Sequence, residues 1–334
     1  MDTRIQKIGQ DTEKEIYNTI DILNKILWDG SVLKPTILDW LSNFKEDDEK
    51  KQALYLLSRC MYFNLSSTRY LLKALYRDKY RTPIIQEIRI LNDGTIDERV
   101  IETAFNERLK KTRFLGVGNP SESGGHLLYY LRQENKIPKD LFVTIDDLLN
   151  DCNGIEHVVF VDDLCGSGSQ VKYDQKIHNC ISTLRKSDSC PKFSYLMLIG
   201  TTKGINRVRD LVDKNERKLF DEVEAEMELN DSYKCFGDQS RYFDNVEQKN
   251  YTMNMCLKYG MELINIIADR DFPQKPLTGE NRNKYIRSCA LGFGDCQLLL
   301  SLQHNTPNNT LPIFWFDEPG YDWKPIFKRY NKIY

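Results

Sequence analysis

The sequence predicts an α/β protein in which a mostly parallel sheet is flanked by helices and preceded by a helical extension. From about residue 83, runs of β-branched and aromatic residues alternate with amphipathic segments, which is typical of a parallel sheet covered by helices. Before that point, apolar residues recur at helical spacing. We therefore expect a helical extension over residues 1–82 and an α/β domain over residues 83–334, loop-rich from about residue 272.

The extension is predicted to contain three helices. Apolar residues recur three or four positions apart in three segments, an arrangement that places them on one helix face. The first segment carries Ile16 and Ile20, the second Ala53 and Leu57, and the third, which begins near Ser66, carries Leu72. These helices are expected to pack as a small bundle.

Strands and helices alternate in the rest of the chain. Strands are predicted at TPIIQEIRIL, TRFLGVG, HVVFVDD and SYLMLIG, and a long helix is predicted after residue 245. HVVFVDD is almost wholly apolar before its two acids, as expected for a strand buried on both faces. Near the C-terminus, CQLLLSLQ and LPIFWF are predicted to form a terminal strand pair. In such sheets ligands bind beyond the carboxyl ends of the strands.

Charge and cysteine content bear on the class of protein. The 47 Lys and Arg residues are balanced by 49 Asp and Glu residues, which argues against a generally basic nucleic-acid-binding surface. No apolar run approaches the roughly 18 residues of a membrane helix, and the N-terminus lacks the apolar core of a signal peptide. We therefore expect a cytoplasmic protein without membrane contact. The nine widely spaced cysteines include no CxxC pair, which favours reduced thiols.

The segment most informative about function is HVVFVDDLCGSGSQ, residues 157–170. A buried strand ends in Asp162 and Asp163 and then enters a loop of small residues before a helix. Residues 166–169 permit a tight curl whose backbone N–H groups form an anion site of phosphate size. The two carboxylates suit the hydroxyls of a phosphorylated sugar, or a Mg²⁺ ion that bridges to its phosphate.

This segment resembles the phosphoribosyl-diphosphate signature of type I phosphoribosyltransferases, in which apolar residues and two acids precede a small-residue loop. The resemblance implies that Asp162 and Asp163 hold the ribose hydroxyls as the catalytic residues and bind Mg²⁺. It also implies that the loop holds the 5′-phosphate, with Gln170 in the place of the usual Thr. The loop residues implied in ligand binding are Gly166, Ser167, Gly168, Ser169 and Gln170.

An earlier loop, residues 118–125, corresponds to the pyrophosphate loop of the same family. The resemblance implies that Asn119, Ser121 and Ser123 bind ligand there. Paired acids at a strand end also occur in receiver and haloacid-dehalogenase folds, where they bind Mg²⁺ for phosphoryl transfer. Those acids normally follow the first strand of the domain and lack the Gly/Ser curl.

A narrower resemblance extends over most of the chain. ILDWLSNF, VVFVDDLCGSGSQ and LGFGDCQLLLSLQHNTPNNTLPIFW together resemble phosphoribosyltransferase-like proteins of the PRTase-CE type from bacterial conflict systems, some encoded beside retron reverse transcriptases. The resemblance implies an antiviral defence effector or accessory subunit that binds a phosphorylated ribose or nucleotide. An active enzyme of this kind would catalyse pentosyl transfer or N-glycosidic hydrolysis. The alternative is a non-catalytic nucleotide-sensing or scaffold subunit that partners a reverse transcriptase, nucleic acid or toxin.

Two further polar features have a functional and a structural interpretation. Arg69, Lys73 and Arg77 recur every four residues along one predicted helix, a pattern that suits contact with a nucleic-acid backbone or simply a solvated helix face. Asn305, Asn308 and Asn309 offer amides to a base or a partner, or else stabilise their own turn. His157, His304 and Cys165 are interpreted as structural residues.

Overall fold

The structure is a computed structural model that describes residues 10–118, 123–186, 190–272 and 277–330. Its strands are β1 (Met61–Phe63), β2 (Thr112–Gly116), β3 (His157–Cys165), β4 (Lys192–Thr201), β5 (Glu222–Leu229) and β6 (Leu300–Leu302). Its α-helices are α1 (Gln10–Ile26), α2 (Lys34–Leu41), α3 (Asp47–Leu57), α4 (Leu65–Leu75), α5 (Thr82–Leu91), α6 (Glu98–Lys110), α7 (Ser123–Asn135), α8 (Ile145–Asn150), α9 (Ser169–Tyr173), α10 (Gln175–Leu184), α11 (Thr202–Arg209), α12 (Val246–Asp271), α13 (Gly279–Cys289) and α14 (Pro312–Trp315).

The predicted fold class is confirmed, because the strands pair in parallel and helices flank them. The chain divides into two compact units, one made of residues 1–65 with 231–334 and the other of residues 66–230. This division falls at other residues than the expected domain boundary at residue 82, and that boundary stays a prediction.

The unit of residues 66–230 contains a four-stranded parallel sheet in the order β2-β3-β4-β5. Its central strands β3 and β4 are buried over almost their whole length. On one face, α8, α9 and α10 contribute Leu148, Val171 and Ile181 to a core that includes Phe160 and Tyr195 of the sheet. Helix α7 contacts β2 and β3. The near-continuous apolar sequence of these strands therefore reflects burial from both sides.

The other unit is mainly helical and has an aromatic core. Trp40 packs against Phe44 and Phe314, and its indole N–H donates to the carbonyl of Ile313 at 2.7 Å. Strand β6 pairs in parallel with β1 in this unit. The apolar residues of the segment from Leu291 to Trp315 belong to this core.

The prediction of a strand at TPIIQEIRIL is wrong, because these residues form α5. Pro83 occupies the first turn of the helix, where its missing N–H costs no hydrogen bond. Ile84 and Ile88, one helical turn apart, are buried, whereas Ile90 is 77% exposed. The apolar residues of this segment therefore follow a period of four rather than two.

The predicted terminal strand pair is also wrong. CQLLLSLQ supplies β6, but LPIFWF forms the short helix α14, which begins at Pro312. The strand that pairs with β6 is β1, within the region predicted to be helical throughout. Strand β5, EVEAEMEL, was not anticipated, since alternate glutamates lower its apolar content.

No helix in the described ranges is both long and apolar enough to cross a bilayer. The predicted cytoplasmic location is not tested by this finding and stays a prediction.

Candidate functional site

The site lies where β3 and β4 end side by side. The register pairs Cys165 with Gly200, so the loop after β3 and helix α11 after β4 leave the same edge of the sheet. Parallel strands present their carboxyl ends together, which is why two segments far apart in sequence converge here. The loop comprises Gly166, Ser167 and Gly168, and α9 begins at Ser169. We call residues 166–169 the Gly/Ser loop.

Asp162 is buried and hydrogen-bonded on both carboxyl oxygens. The hydroxyl of Tyr195 donates to its Oδ2 at 2.6 Å, and the backbone N–H of Asp163 donates to its Oδ1 at 2.9 Å. Burial and the neighbouring charge of Asp163 raise the pKa of Asp162 far above its ordinary value, while the two hydrogen bonds oppose the shift. The carboxyl group of Asp162 is therefore held within the sheet and connects Tyr195 to the backbone of Asp163.

Asp163 differs from its neighbour because its side chain is only half-buried. The two carboxyl groups nevertheless interact, because the charge of Asp163 is one cause of the raised pKa of Asp162. Both oxygens of Asp162 already accept hydrogen bonds, and burial favours its neutral form. Among the described residues, no group of three or more His, Cys, Asp or Glu side chains has an arrangement that could hold a metal ion. The roles predicted for Asp162 and Asp163 in ribose and Mg²⁺ binding stay predictions.

The Gly/Ser loop contains buried backbone donors for which the described residues provide no acceptor. Gly166, Ser167 and Gly168 are all buried, yet their N–H groups donate to no atom in the described part of the chain. Buried backbone N–H groups are nearly always paired in folded proteins. Three consecutive donors without an acceptor among the described residues therefore mark this loop as a candidate anion site.

Helix α11 holds the Gly/Ser loop in place. Thr201 Oγ1 donates to the carbonyl of Gly166 and accepts from the N–H of Gly204 at 2.9 Å. A Cβ atom on Gly204 would lie 2.3 Å from the carbonyl oxygen of Gly166, so the two backbones meet at a distance that only glycine allows. Gly168 has a φ of +70°, which also favours glycine. The curl is therefore supported from the neighbouring strand.

The remaining predicted ligand residues are only partly described. Ser169 is half-buried and its hydroxyl accepts from Ser167 Oγ at 3.0 Å, whereas Gln170 is exposed. Asn119 and Ser121, predicted for the earlier loop, lie outside the described residues. Ser123 is the first residue of α7, and its side chain is not among those that the structure describes. Their assignment to ligand binding stays a prediction.

His157 lies at the opposite end of β3 from the Gly/Ser loop. Its Nε2 lies 2.7 Å from Ser194 Oγ, which itself donates to Glu222 at 2.8 Å. The ring also stacks on Tyr80 at a centroid distance of 5.7 Å. Burial, followed by the charge of Lys192, lowers the pKa of His157 to about 4. These contacts support the interpretation of His157 as a structural residue.

The cationic residues on and just after α4 form ion pairs within their own unit. Arg69 and Lys73 both contact Glu134, and Arg77 contacts Asp78. Each pair lowers the positive charge that a nucleic-acid backbone would meet. Nucleic-acid contact remains an untested prediction.

Four residues of the site were not identified from the sequence. These residues are Tyr195, Thr201, Gly204 and Arg207, which all lie on β4 or α11, after the end of the motif at residue 170. The only available signal was the expectation that strand ends converge, because none of these residues forms part of a recognisable motif. Pairing of β4 with β3 brings them to the site.

A parallel sheet with two acids and a Gly/Ser curl at the end of its second strand defines a phosphoribosyltransferase-like protein. The chain belongs to the PRTase-CE family, whose model matches residues 37–329. This match covers most of the chain and supports a function of the phosphoribosyl-transfer type. Comparisons with curated proteins and with solved structures found no match.

Proposed function

We propose that this protein binds a phosphorylated ribose, free or as part of a nucleotide, with its phosphate at the Gly/Ser loop. The observation that carries the proposal is the run of three buried residues, 166–168, whose backbone N–H groups have no acceptor among the described residues. Phosphate oxygens are strong acceptors and satisfy several such donors at once. Membership of a phosphoribosyltransferase-like family supports the same ligand class.

In this proposal the two acids have different tasks. Asp163, whose carboxylate is half-buried, receives the ribose hydroxyls or a Mg²⁺ ion bound with the ligand. Asp162 fixes the backbone of Asp163 through the 2.9 Å hydrogen bond to its N–H. Tyr195 in turn fixes Asp162. A bound Mg²⁺ would supply positive charge near the phosphate oxygens.

The reaction we propose is cleavage of the glycosidic bond at C1′ of the ribose. The leaving group departs with the bonding electron pair, and an acceptor nucleophile or water forms the new bond to C1′. The protein contributes position and electrostatic stabilisation of the cationic sugar in the transition state. The carboxylate of Asp163 supplies negative charge for that purpose.

We propose further that the protein is cytoplasmic and acts in bacterial antiviral defence, as an effector or accessory subunit, in some systems beside a retron reverse transcriptase. The support is the resemblance of the three segments ILDWLSNF, VVFVDDLCGSGSQ and LGFGDCQLLLSLQHNTPNNTLPIFW to proteins of conflict systems. This proposal predicts that cells carrying the intact module survive phage infection better than cells carrying a site variant.

A second candidate is a nucleotide-sensing or scaffold subunit that binds the same ligand without turnover and holds a reverse transcriptase, nucleic acid or toxin. One observation favours it: both oxygens of Asp162 are engaged within the sheet, so one acid rather than two faces the ligand. A binding protein needs only the Gly/Ser loop and Asp163, whereas catalysis makes greater demands on charge placement.

Asp163→Ala tests the proposed function, with Asp210→Ala as a matched control. Asp210 is an aspartate whose ion pair with Lys218 lies at the surface, because the Asp210 side chain is 78% exposed and that of Lys218 is 58% exposed. Ribose 5-phosphate binding is measured by calorimetry, and nucleotide pools of infected cells are compared by mass spectrometry. We expect Asp163→Ala to lose binding and protection, and Asp210→Ala to retain both.

The outcomes separate the candidates. Release of base, ribose phosphate or pyrophosphate in wild-type cells, absent in the Asp163→Ala strain, supports the enzyme. Protection that depends on Asp163 without any change in the pools supports the sensing subunit. Wild-type protein that does not bind ribose 5-phosphate contradicts the proposed ligand class.

A further inference from the structure

We infer that Arg207 on α11 is the residue that recognises the charge of the phosphate at the Gly/Ser loop. This inference rests on the proposed function and extends it to a residue outside the sequence motif. Arg207 reaches the loop across the sheet edge, since its Nη1 donates to the carbonyl of Ser167 at 2.8 Å and contacts Ser169 Oγ at 3.2 Å. The guanidinium group therefore lies within the loop region proposed to hold phosphate.

The charge of Arg207 is not neutralised within the described parts of the chain. Its hydrogen bonds go to a carbonyl and a hydroxyl oxygen, and it forms no ion pair with a described carboxylate. Other arginines of the same unit differ in this respect, because Arg185 pairs with Asp213 and Arg209 with Glu224. A half-buried guanidinium without a carboxylate favours an anion as its partner.

The backbone of α11 near Arg207 packs closely against the Gly/Ser loop. Gly204, one turn earlier in α11, packs directly on the carbonyl of Gly166, and Val208 is buried in the core. These contacts place α11 against the loop and limit where the Arg207 side chain extends. Of the five guanidinium N–H groups, the two on Nη1 suffice for the contacts to Ser167 and Ser169. The remaining N–H groups are able to donate to a phosphate.

Arg207 and the N–H groups of residues 166–168 complement each other. The N–H groups provide directed donors, while Arg207 provides the full positive charge that distinguishes a phosphate from a neutral hydroxyl. We therefore assign to Arg207 the preference for a phosphorylated over an unphosphorylated sugar. An arginine contributes a planar fork that lysine lacks, so the substitution by lysine is expected to restore charge but not geometry.

The test compares binding of two probes, ribose 5-phosphate and ribose, by calorimetry in wild type, R207Q and R207K. We expect R207Q to lower the preference for ribose 5-phosphate by about tenfold or more, as for loss of a charge-assisted hydrogen bond. R207K should retain part of that preference, which a purely structural role of the side chain does not predict. R209Q is the matched control, because Arg209 lies on the same helix but donates to Val223 and Glu224. It should leave the preference unchanged.

Circular dichroism and thermal unfolding accompany each variant. If R207Q does not fold, R207M, which keeps an apolar stem of similar length, takes its place. A folded R207Q or R207M with the wild-type preference overturns the assignment of Arg207 and leaves the proposed function intact. Wild-type protein with no preference for ribose 5-phosphate over ribose overturns both. If R207K and R207Q lose the preference for ribose 5-phosphate equally, the inference that the charge of Arg207 sets this preference is overturned.

Discussion

The Gly/Ser loop and the asparagine-rich loop of residues 305–310 both resemble binding sites in the sequence, but they differ in how far their polar groups are hydrogen-bonded. In the asparagine-rich loop the polar groups bond to their own chain. Asn309 Nδ2 donates to the carbonyl of Phe293 at 3.0 Å, and Asn305 Oδ1 accepts from the N–H of Tyr330 at 3.0 Å. In the Gly/Ser loop, three buried N–H groups have no acceptor in the described residues.

The difference shows that unsatisfied donors, rather than polar content, mark a candidate site. The amides of the asparagine-rich loop stabilise a turn that packs beside Gly292, where a Cβ atom would lie 2.2 Å from the Asn309 carbonyl. This supports the structural interpretation of that loop. The Gly/Ser loop has fewer polar side chains but more unmet hydrogen-bonding capacity.

The largest effect on stability and on ribose 5-phosphate binding is expected from G204A. The new Cβ atom would lie 2.3 Å from the Gly166 carbonyl oxygen, so either α11 or the loop has to move. We expect the free energy of unfolding to fall by about 1–3 kcal/mol and ribose 5-phosphate binding to be lost. Urea denaturation and calorimetry measure the two effects. G237A is the control, since the nearest atom to a Cβ there lies in the flexible Lys234 side chain, 3.3 Å away. Wild-type binding by G204A would show that the close approach of α11 does not shape the loop.

The free energy of unfolding is expected to depend on pH through His157, which is hydrogen-bonded at the other end of β3 from the Gly/Ser loop. Burial lowers its pKa to about 4 from an ordinary value of 6.5, so the unfolded chain takes up the proton first as pH falls. The stabilising contribution of neutral His157 is therefore complete above the ordinary pKa and is lost as pH falls towards about 4.

H157Q should flatten this part of the stability profile, which urea denaturation at a series of pH values measures. S288A, which removes an exposed hydroxyl bonded to the Tyr285 carbonyl, serves as the control. The same slope in H157Q and wild type would contradict the assignment. Ribose 5-phosphate binding at neutral pH should not change, because the side chain lies far along β3 from the Gly/Ser loop.

A smaller effect is expected from N309A. Loss of the buried amide leaves the Phe293 carbonyl without this donor, which should lower the free energy of unfolding by about 1–2 kcal/mol. Binding of ribose 5-phosphate by the folded protein should remain. Lost binding in a protein that is still folded by circular dichroism would show that the asparagine-rich loop also takes part in ligand binding.

The smallest effect is expected from N305A. Its hydrogen bond to the Tyr330 N–H is exposed, and exposed hydrogen bonds of this kind exchange readily with water. Stability should change by less than about 1 kcal/mol, and binding and phage protection should not change. Loss of protection without loss of stability would indicate that this loop contacts a partner.

The motif strand and the long helix α12 were predictable because each carries its signal locally. HVVFVDD has the continuous apolar run of a strand buried on both faces, and β3 confirms it. α5 was mistaken for a strand because β-branched isoleucines favour strands, whereas burial of Ile84 and Ile88 on one helix face decided the outcome. β1 and β6 were missed as a pair because strands of three residues carry little pattern of their own.

The sequence by itself determined the family signature, the buried β3 strand, the two acids and the small-residue Gly/Ser loop, since each depends on neighbouring residues. Only the tertiary structure decided that Asp162 turns to Tyr195 and that Arg207 and Gly204 meet the loop. Asp162 and Tyr195 are 33 positions apart in sequence, and Ser167 and Arg207 are 40 positions apart. The parallel pairing of β3 with β4 brings both pairs into contact. Side-chain partners across a sheet depend on register and strand order, and no local pattern of residues encodes either one.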